Sequence, residues 1–421
     1  MGRAWQAIQQ WLSEFWDDLK ASTDAGLLAV PRFLGLLYGP IDARLPIDQA
    51  FRKALGYRLP SHVGWRHALG GIAYLLFFVL VVSGVLLAVH YRPSVSEAYP
   101  SVRHIVSGVT LGWLIRDLHV WAANLVVIAV LAHMTRVFVD AAHKPPRETT
   151  WFAGILLFFV VLAFGATGYL LPWDQWAYWA VTEALHVAEG VPLIGTPVVN
   201  LVRGDPIVSG ATLSRFFAVH VIVLPWLAFA LLAFHFTVIR RHGIAAPKRG
   251  VAPTGPGRRF FPNHLLRSFM VAVLVCAVVI SAAALWPRPL GDPADPTRLP
   301  TTVRSTWIAV DVSRALAHYV GAWGFAAFTL LGVGLALMPL FDRGPERQLR
   351  RRPVVAALGA VFLVGFLAAW LAGRQLRSVP PPAALEHTLP GSSAGAGPDE
   401  AAPGQPRPER AEESATQDTM P

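Results

Sequence analysis

The sequence predicts an all-α membrane protein with seven transmembrane helices, and three observations support that prediction. Hydrophobic residues make up 54% of the 421 residues and charged residues only 15%, whereas a soluble domain typically carries about 25% charged residues. The apolar residues are grouped in seven runs, each long enough to cross a bilayer core about 30 Å thick. The first run begins after residue 68, which is too late for a cleaved signal peptide.

Each apolar run is expected to form one membrane span, because about 20 helical residues cross the hydrocarbon core. In chain order, spans 1 to 7 are 69–90, 118–139, 152–171, 216–239, 265–286, 319–341 and 354–372. Spans 1 to 4 are expected to form a four-helix bundle, and spans 5 to 7 form three further helices.

The prediction divides the chain into four segments. Residues 1–66 form a surface segment on the cytoplasmic side, 67–245 hold the four-helix bundle, 246–377 hold the last three spans, and 378–421 form a tail. In the first segment, apolar residues from Trp5 to Leu19 recur at near-helical spacing. This pattern indicates either an amphipathic helix lying on the membrane or a helix that docks onto a partner protein. The tail is rich in Pro, Ala, Glu, Gly and Ser, so we expect it to be disordered.

Lysine and arginine are distributed unequally between the two sides of the membrane. Most of the 36 fall in the N-terminal segment and in the loops between spans 2 and 3, 4 and 5, and 6 and 7. By the positive-inside rule these segments are cytoplasmic, which places the N-terminus inside and the C-terminus outside the cell. Membrane anchoring accounts for the net charge of +10, so no nucleic-acid partner is required.

Four histidines are paired on two of the predicted spans. His119 and His133 lie fourteen residues apart on span 2, whereas His220 and His235 lie fifteen apart on span 4. Fourteen residues make nearly four helical turns and separate the first pair by about 21 Å on one face, while fifteen rotate the second pair by roughly 60°. Spans 2 and 4 run in the same direction, so each level of the membrane holds two histidines. Hydrogen bonding between helices would explain one membrane histidine, but two matched pairs predict two bis-histidine haems.

Glycines on spans 1 and 3 repeat the fourteen-residue spacing. Gly70 and Gly84 lie on span 1, and Gly154 and Gly168 lie on span 3. Glycine lets a backbone approach a flat macrocycle closely, although membrane glycines are also common at ordinary helix contacts. Because two helices share the ligand spacing, we expect these four glycines to make room for the haems.

Two arginines flank the histidines of span 2. Arg116 and Arg136 each lie three residues beyond a histidine, at opposite ends of the span. A guanidinium in such a place can extend to the lipid headgroups, or it can pair with the carboxylates of the haem propionates. We favour pairing with the propionates.

Three stretches carry the paired histidines and the end of span 3. They are RDLHVWAANLVVIAVLAHMTR from Arg116, TGYLLPWDQWAYWAV from Thr167, and GATLSRFFAVHVIVLPWLAFALLAFHFTVIRRHGI from Gly210. Together with LGGI at Leu69, they resemble the cytochrome b family of quinol-oxidising bc and bf complexes over about residues 60–245. The resemblance continues more loosely through spans 5 to 7. The fifteen-residue spacing and the four-plus-three helices resemble the chloroplast-type branch, here with both halves fused in one chain.

The resemblance implies a role for each histidine pair. His119 and His220 would ligate the iron of a haem near the outer side, and His133 and His235 that of a second haem near the cytoplasmic side. The family oxidises a quinol at an outer site and passes one electron to an iron–sulfur partner. The other electron crosses the membrane through both haems and reduces a quinone at an inner site.

The resemblance also implies quinone contacts and partners. Tyr169, Pro172 and Trp173 would line the outer quinol pocket, and Arg240 would meet a quinone or a propionate on the cytoplasmic side. The expected partners are a Rieske-type iron–sulfur protein and a cytochrome c subunit, in a complex that contains a homodimer. The expected location is the inner membrane of a bacterium.

One departure from the family concerns covalent haem. The chloroplast-type branch attaches an extra haem through a cysteine just before the LGG of span 1, but here that position is Ala68. The only cysteine, Cys276, lies inside span 5, which excludes an internal disulfide and a cysteine-ligated iron–sulfur cluster. We therefore expect two non-covalent b-type haems and no covalent one.

A second departure concerns the family's Pro-Glu-Trp-Tyr motif before span 6, whose glutamate is thought to take a quinol proton. The aligned residues here are Ser305, Thr306, Trp307 and Ile308. Threonine cannot act as a base near neutral pH. Asp311 and His318 lie nearby, and both are candidate proton acceptors in its place.

Two functions fit these features. The first is the cytochrome b subunit of a quinol–cytochrome c oxidoreductase-like complex. The second is a haem-carrying relay subunit of another respiratory complex, one that no longer oxidises quinol because the glutamate is missing. A purely structural subunit is disfavoured, because all four histidines and all four glycines are in place.

Overall fold

The computed structural model describes residues 58–245, 257–260, 264–298, 300 and 307–376, together with positions 10, 14 and 17. Its α-helices are α1 (Leu69–Ala88), α2 (Ala98–Gly108), α3 (Gly112–Val139), α4 (Glu148–Tyr169), α5 (Gln175–Glu189), α6 (Gly195–Arg203), α7 (Gly210–Ala218), α8 (Leu224–His242), α9 (Leu265–Leu285), α10 (Ile308–Ala336), α11 (Met338–Phe341) and α12 (Pro353–Gln375). Two short strands, β1 (Arg58–Leu59) and β2 (Arg258–Arg259), pair in antiparallel fashion. Apart from the three isolated positions, the predicted N-terminal amphipathic helix and the predicted tail lie outside the described residues.

The prediction of a multi-pass helical membrane protein is confirmed. Six helical segments are long and apolar enough to cross a membrane: Trp65–Ala88, Gly112–Val139, Glu148–Tyr169, Gly210–His242, Leu265–Leu285 and Pro353–Gln375. A seventh candidate consists of Ile308–Gly321 and Ala326–Ala336, two pieces of α10 that meet at an angle of 120°. At Gly321 the backbone φ is 65°, a conformation that glycine adopts readily.

The helix of span 6 begins well before its predicted start at residue 319. Asp311, Arg314 and His318 interrupt the apolar run in the sequence, so the prediction excluded this segment. In the structure, the helix nevertheless begins at Ile308. The two charged side chains of Asp311 and Arg314 are buried between helices rather than exposed to lipid.

Polar side chains fix the starts of two helices outside the spans. Asp174 precedes α5, and its carboxylate accepts a hydrogen bond from the backbone N–H of Ala177 at 2.8 Å. Ser209 precedes α7, and its hydroxyl oxygen accepts from the N–H of Ala211 at 3.1 Å. Such caps satisfy backbone donors that a helix leaves unpaired at its first turn.

One apolar core contains residues from both predicted blocks of spans. Its buried members include Leu76 of α1, Val127 of α3, Phe158 of α4, Val279 of α9, Ile308 of α10 and Phe366 of α12. The backbone N–H of Ile308 also donates to the side-chain oxygen of Asn124 on α3, at 3.0 Å. Spans 5 to 7 therefore pack directly onto the four-helix bundle.

A buried cluster of charges joins the segment after α3 to the segment after α11. The carboxylate of Asp342 contacts Nζ of Lys144 at 2.8 Å, Nη1 of Arg352 at 2.7 Å and Nε2 of His143 at 3.0 Å. Burial alone would raise the pKa of Asp342, but these three donors hold it below its ordinary value. The carboxylate is thus the common partner of the cluster.

Replacing Asp342 by Asn is expected to destabilise the protein by at least about 2 kcal/mol, because it leaves two buried cations without a carboxylate. Thermal unfolding of the purified protein in detergent measures this effect. Because the folded pKa lies below the unfolded one, the contribution is complete at neutral pH and is lost as acid protonates Asp342.

Glu346→Gln is the matched control, since Glu346 pairs with the exposed Arg351 and should contribute little. Equal unfolding temperatures for both variants and the parent protein would refute a stabilising role for the Asp342 cluster.

Candidate functional site

The first predicted histidine pair meets between α3 and the α7–α8 segment. The ring centres of His119 and His220 lie 6.3 Å apart, with the ring planes inclined at 65°. Bonds from imidazole nitrogen to a metal ion are about 2.0–2.1 Å long, so two imidazoles on opposite sides of one ion place their ring centres about 6 Å apart. The observed gap therefore fits one metal ion between the rings. We refer to this end of the bundle as the His119 end, and to the opposite end as the His133 end.

The Nδ1 atoms of both rings are held by neighbouring helices. Nδ1 of His119 lies 2.9 Å from the hydroxyl oxygen of Ser83, which donates its own hydrogen to the carbonyl of Val79 at 2.6 Å and so accepts from the ring. Nδ1 of His220 lies 3.0 Å from the carbonyl oxygen of Phe164 and donates to it. With Nδ1 protonated in both rings, each Nε2 keeps a lone pair for a metal.

Each of the four predicted glycines contacts one of the four histidine rings. A Cβ atom placed on Gly84 would lie 3.2 Å from Cε1 of His119, and one on Gly168 only 2.5 Å from Cε1 of His220. At the other level, a Cβ on Gly70 would lie 3.1 Å from His133, and one on Gly154 would lie 3.5 Å from His235. The glycines thus make room for the imidazole rings, whereas the sequence predicted that they make room for the haem macrocycle.

A turn of π-helix explains the unequal histidine spacing. It spans Val219–Val223, and the N–H of Leu224 donates to the carbonyl of Val219, five residues earlier. A π turn contains one residue more than an α turn. It therefore offsets the rotation of about 60° expected from the fifteen residues between His220 and His235. Both imidazoles consequently face glycines of α4.

The second predicted pair lines a cavity at the His133 end. The cavity has a volume of about 410 Å³, and His133, His235, Gly70, Gly154 and Arg136 all contribute to its wall. Its remaining wall is mostly apolar and comes from α1, α3, α4 and α8 and from the segments that flank them, which add His67, His143 and Arg147. An apolar cavity with a few convergent polar groups is the usual form of a cofactor site.

The two flanking arginines already have carboxylate partners. Nη1 of Arg116 lies 3.0 Å from Asp117, and Nε of Arg136 lies 3.1 Å from Asp140. A guanidinium carries five N–H donors, so each arginine retains donors for a second acidic group. Arg240, in contrast, is exposed at the last turn of α8 and does not line the cavity.

Comparisons with known proteins identify the family of the chain. The family model Cytochrome b/b6/petB matches residues 54–243. Cytochrome b6 of Synechococcus sp. (strain JA-3-3Ab) is 41% identical over 211 residues, which are 50% of this chain and 98% of that protein. The chain belongs to the cytochrome b family.

A solved structure described as a hyperthermophilic respiratory Complex III is similar to this cytochrome b over a larger part of its length. The two share 26% identity with a TM-score of 0.71, over 83% of this chain and 93% of the other. Since the match to cytochrome b6 covers 50% of the chain, the structural similarity extends into the C-terminal spans. Membership of the family implies b-type haem as the cofactor.

The predicted quinol-pocket residue Tyr169 lies in an apolar cluster at the His119 end of this cytochrome b. It packs against a cluster that consists of Ala180 of α5, Trp307, the residue before α10, and Val310 of α10. The ring of Trp307 occupies space left by Gly165 of α4, where a Cβ atom would come within 1.9 Å of it. Residues of α4, α5 and α10 therefore meet at one place.

The other two predicted pocket residues lie in the turn between α4 and α5. Trp173 is buried, takes a left-handed backbone conformation with φ of 52°, and packs edge-on against Tyr178 at 5.7 Å between ring centres. Pro172 is half-buried beside it. The turn thus directs an indole ring inward at the start of α5.

Two residues that the sequence analysis did not select tie the loop between α9 and α10 to the start of α5. The carboxylate of Asp174 accepts from the N–H of Gly291 at 3.1 Å, and the N–H of Gln175 donates to the carbonyl of Asp292 at 2.8 Å. The side-chain oxygen of Gln175 accepts from the N–H of Asp295 at 2.6 Å. The position of Asp174 before a helix predicts a cap, but no sequence signal reveals its second partner.

The two candidate proton acceptors occupy different environments on α10. Asp311 is buried where α10 meets α12, and its carbonyl oxygen lies 1.8 Å from the position of a Cβ on Gly373. His318 is exposed and packs edge-on against Tyr319. A third acid, Glu183 of α5, forms an ion pair with Arg314 and was missed because no motif marks it.

Gly168→Ala is expected to lower the haem content per polypeptide, because the new methyl group meets a ring that the carbonyl of Phe164 holds in place. Gly154→Ala is the matched control, since its methyl group would be in ordinary van der Waals contact with His235. A pyridine haemochrome assay on the purified variants gives the ratio of haem to protein. Equal haem contents in the two variants would contradict the proposed glycine contact.

Proposed function

We propose that this chain is the cytochrome b subunit of a quinol–cytochrome c oxidoreductase-like complex, and that it passes electrons from quinol across the membrane through two non-covalent b-type haems. The observation that carries the proposal is the gap of 6.3 Å between His119 and His220, with both Nδ1 atoms already hydrogen-bonded. Two imidazoles held in this way are suited to bind one haem iron from both sides.

The proposal assigns two ligands to each haem. His119 and His220 would hold the iron of one haem at the His119 end, and His133 and His235 would hold the iron of the other at the His133 end. Haem would supply one-electron redox chemistry when bound. The hydrogen bonds of Ser83 and of the Phe164 carbonyl orient the first pair of rings.

Quinol is proposed to bind at the His119 end, in the pocket formed by Tyr169, Pro172 and Trp173. The packing of Tyr169 against the cluster that contains Trp307 supports this placement, as does the position of Tyr169 directly after Gly168. At the opposite end, Arg136 lines the cavity and Arg240 lies nearby on the surface, so the proposed quinone-reducing site belongs there.

The proposed partners are a Rieske-type iron–sulfur protein and a cytochrome c subunit, in a larger complex that contains a homodimer. Similarity to a respiratory Complex III supports this assembly. The distribution of Lys and Arg supports a cytoplasmic N-terminus and an outer His119 end. The proposed location is the inner membrane of a bacterium.

Replacing His220 or His235 by Ala is expected to halve the haem content, because each variant loses one ligand of one haem. Haem per polypeptide is measured by pyridine haemochrome assay. His186→Ala, which changes an exposed histidine of α5, should keep the full content. The two-haem proposal would be refuted if the parent protein contained far fewer than two haems per polypeptide and had lost none of them during purification.

Quinol added to membranes that contain the protein is expected to reduce the b-type haems quickly, with sensitivity to inhibitors of the outer site. The alpha absorption band, followed by stopped-flow spectroscopy, measures this reaction. Reduction that occurs only through another protein would instead support the relay function.

A further inference from the structure

An ion pair connects α5 and α10 beside the apolar cluster at the His119 end. Nε of Arg314 lies 3.3 Å from Oε2 of Glu183. The arginine side chain is 2% exposed and the glutamate side chain 15% exposed. A largely buried ion pair is costly to desolvate, so its presence between α5 and α10 calls for an explanation.

Helix geometry places this pair next to the quinol pocket. Glu183 follows Ala180 by three residues on α5, and Arg314 follows Val310 by four residues on α10. Residues with these spacings lie on one face of a helix, about one turn or 5.4 Å apart. Ala180 and Val310 both belong to the apolar cluster that includes Tyr169. The carboxylate therefore lies about one turn beyond the cluster.

The same cluster adjoins the first histidine pair. Tyr169 directly follows Gly168, whose backbone lies against the ring of His220. A flat, apolar molecule bound at the cluster would thus lie close to a proposed haem ligand and about one helical turn from Glu183.

We propose that the Glu183 carboxylate accepts a proton from quinol bound at this site, in place of the missing motif glutamate. This inference rests on the proposed oxidation of quinol. In the step, one quinol O–H bond breaks and one O–H bond forms on the carboxyl group, so that quinol remains bound as its anion. No electron moves in this step. Both electrons leave afterwards, one to the iron–sulfur partner and one to the haem.

The surroundings of Glu183 suit a proton acceptor. Burial raises the pKa of the Glu183 carboxyl, and the adjacent Arg314 limits the rise. A raised pKa makes the carboxylate a stronger base, whereas the cation keeps it ionised before quinol binds. After the transfer, the same cation favours release of the proton to solvent, because ionised Glu183 pairs with it again.

Glu183 differs from the two acceptors predicted from the sequence in the helix that carries it. Asp311 follows Trp307 of the cluster by four residues and its backbone also packs against Gly373 of α12, whereas the side chain of His318 is exposed. Glu183 instead lies on α5, the helix that contributes Ala180 to the cluster.

Glu183→Gln is expected to slow the reduction of the haems by quinol at least tenfold, since a positioned base typically contributes about 10²–10⁴-fold. Stopped-flow measurement of the alpha band in membranes that contain the whole complex gives the rate. Glu189→Gln is the matched control, because Glu189 lies on the same helix and pairs with Arg203. It should react at the parent rate. Haem content and reduction by dithionite should be unchanged in both variants.

Arg314 would be left buried without a partner in the single variant, so the double change E183Q/R314Q separates folding from catalysis. The two neutral side chains retain a contact and remove the buried charge. We expect this variant to hold its haems and to react as slowly as E183Q. Restoration of the parent rate would show that the ion pair is only structural and would overturn the proposal.

The remaining outcomes are also decisive. If Asp311→Asn or His318→Ala slows the reduction of the haems by quinol while E183Q reacts at the parent rate, the proton acceptor is Asp311 or His318 and not Glu183. If quinol fails to reduce the haems of the parent protein, the proposed function itself fails and Glu183 loses this role. If the parent reacts and E183Q reacts equally fast, only the assignment of Glu183 fails.

Discussion

The structure depends on one constraint: two imidazoles from separate membrane helices must face each other across a gap that fits a metal ion. The observed gap of 6.3 Å between His119 and His220 meets this constraint. This constraint explains several neighbouring features. Ser83 and the Phe164 carbonyl hold the rings, and Gly168 allows α4 to approach closely enough to do so. Each feature lies on a helix other than the one it orients, so the site requires the whole bundle.

Buried charge in this protein is organised in sets that join separate parts of the chain. The Asp342 cluster connects the loops after α3 and α11, while Arg314 and Glu183 connect α10 to α5. A lone charge in such places would carry a large desolvation cost, which the attraction and hydrogen bonds of an opposite charge offset in part. The spans from both halves of the chain consequently share an apolar core and are also linked at their ends.

The His119 end differs from the family pattern in a way that has a chemical consequence. Ser305 and Thr306 stand where the family motif is expected to have Pro and Glu, and the indole of Trp307 packs into the space left by Gly165. The aromatic ring therefore joins the start of α10 to α4. In our proposal, the acidic group of the quinol site is supplied by α5, whose position is fixed by Asp174 and Gln175.

The sequence by itself determined the helical membrane fold, the approximate spans, the two histidine pairs and the four glycines. Apolar run length and helical periodicity are local properties, and they remain visible without any partner. Only the tertiary structure decided that the glycines contact imidazole rings, that a π turn realigns His220 with His235, and that span 6 begins at Ile308. It also brought Glu183 next to Arg314. These features depend on contacts between residues far apart in the chain, and no spacing or composition within one segment encodes them.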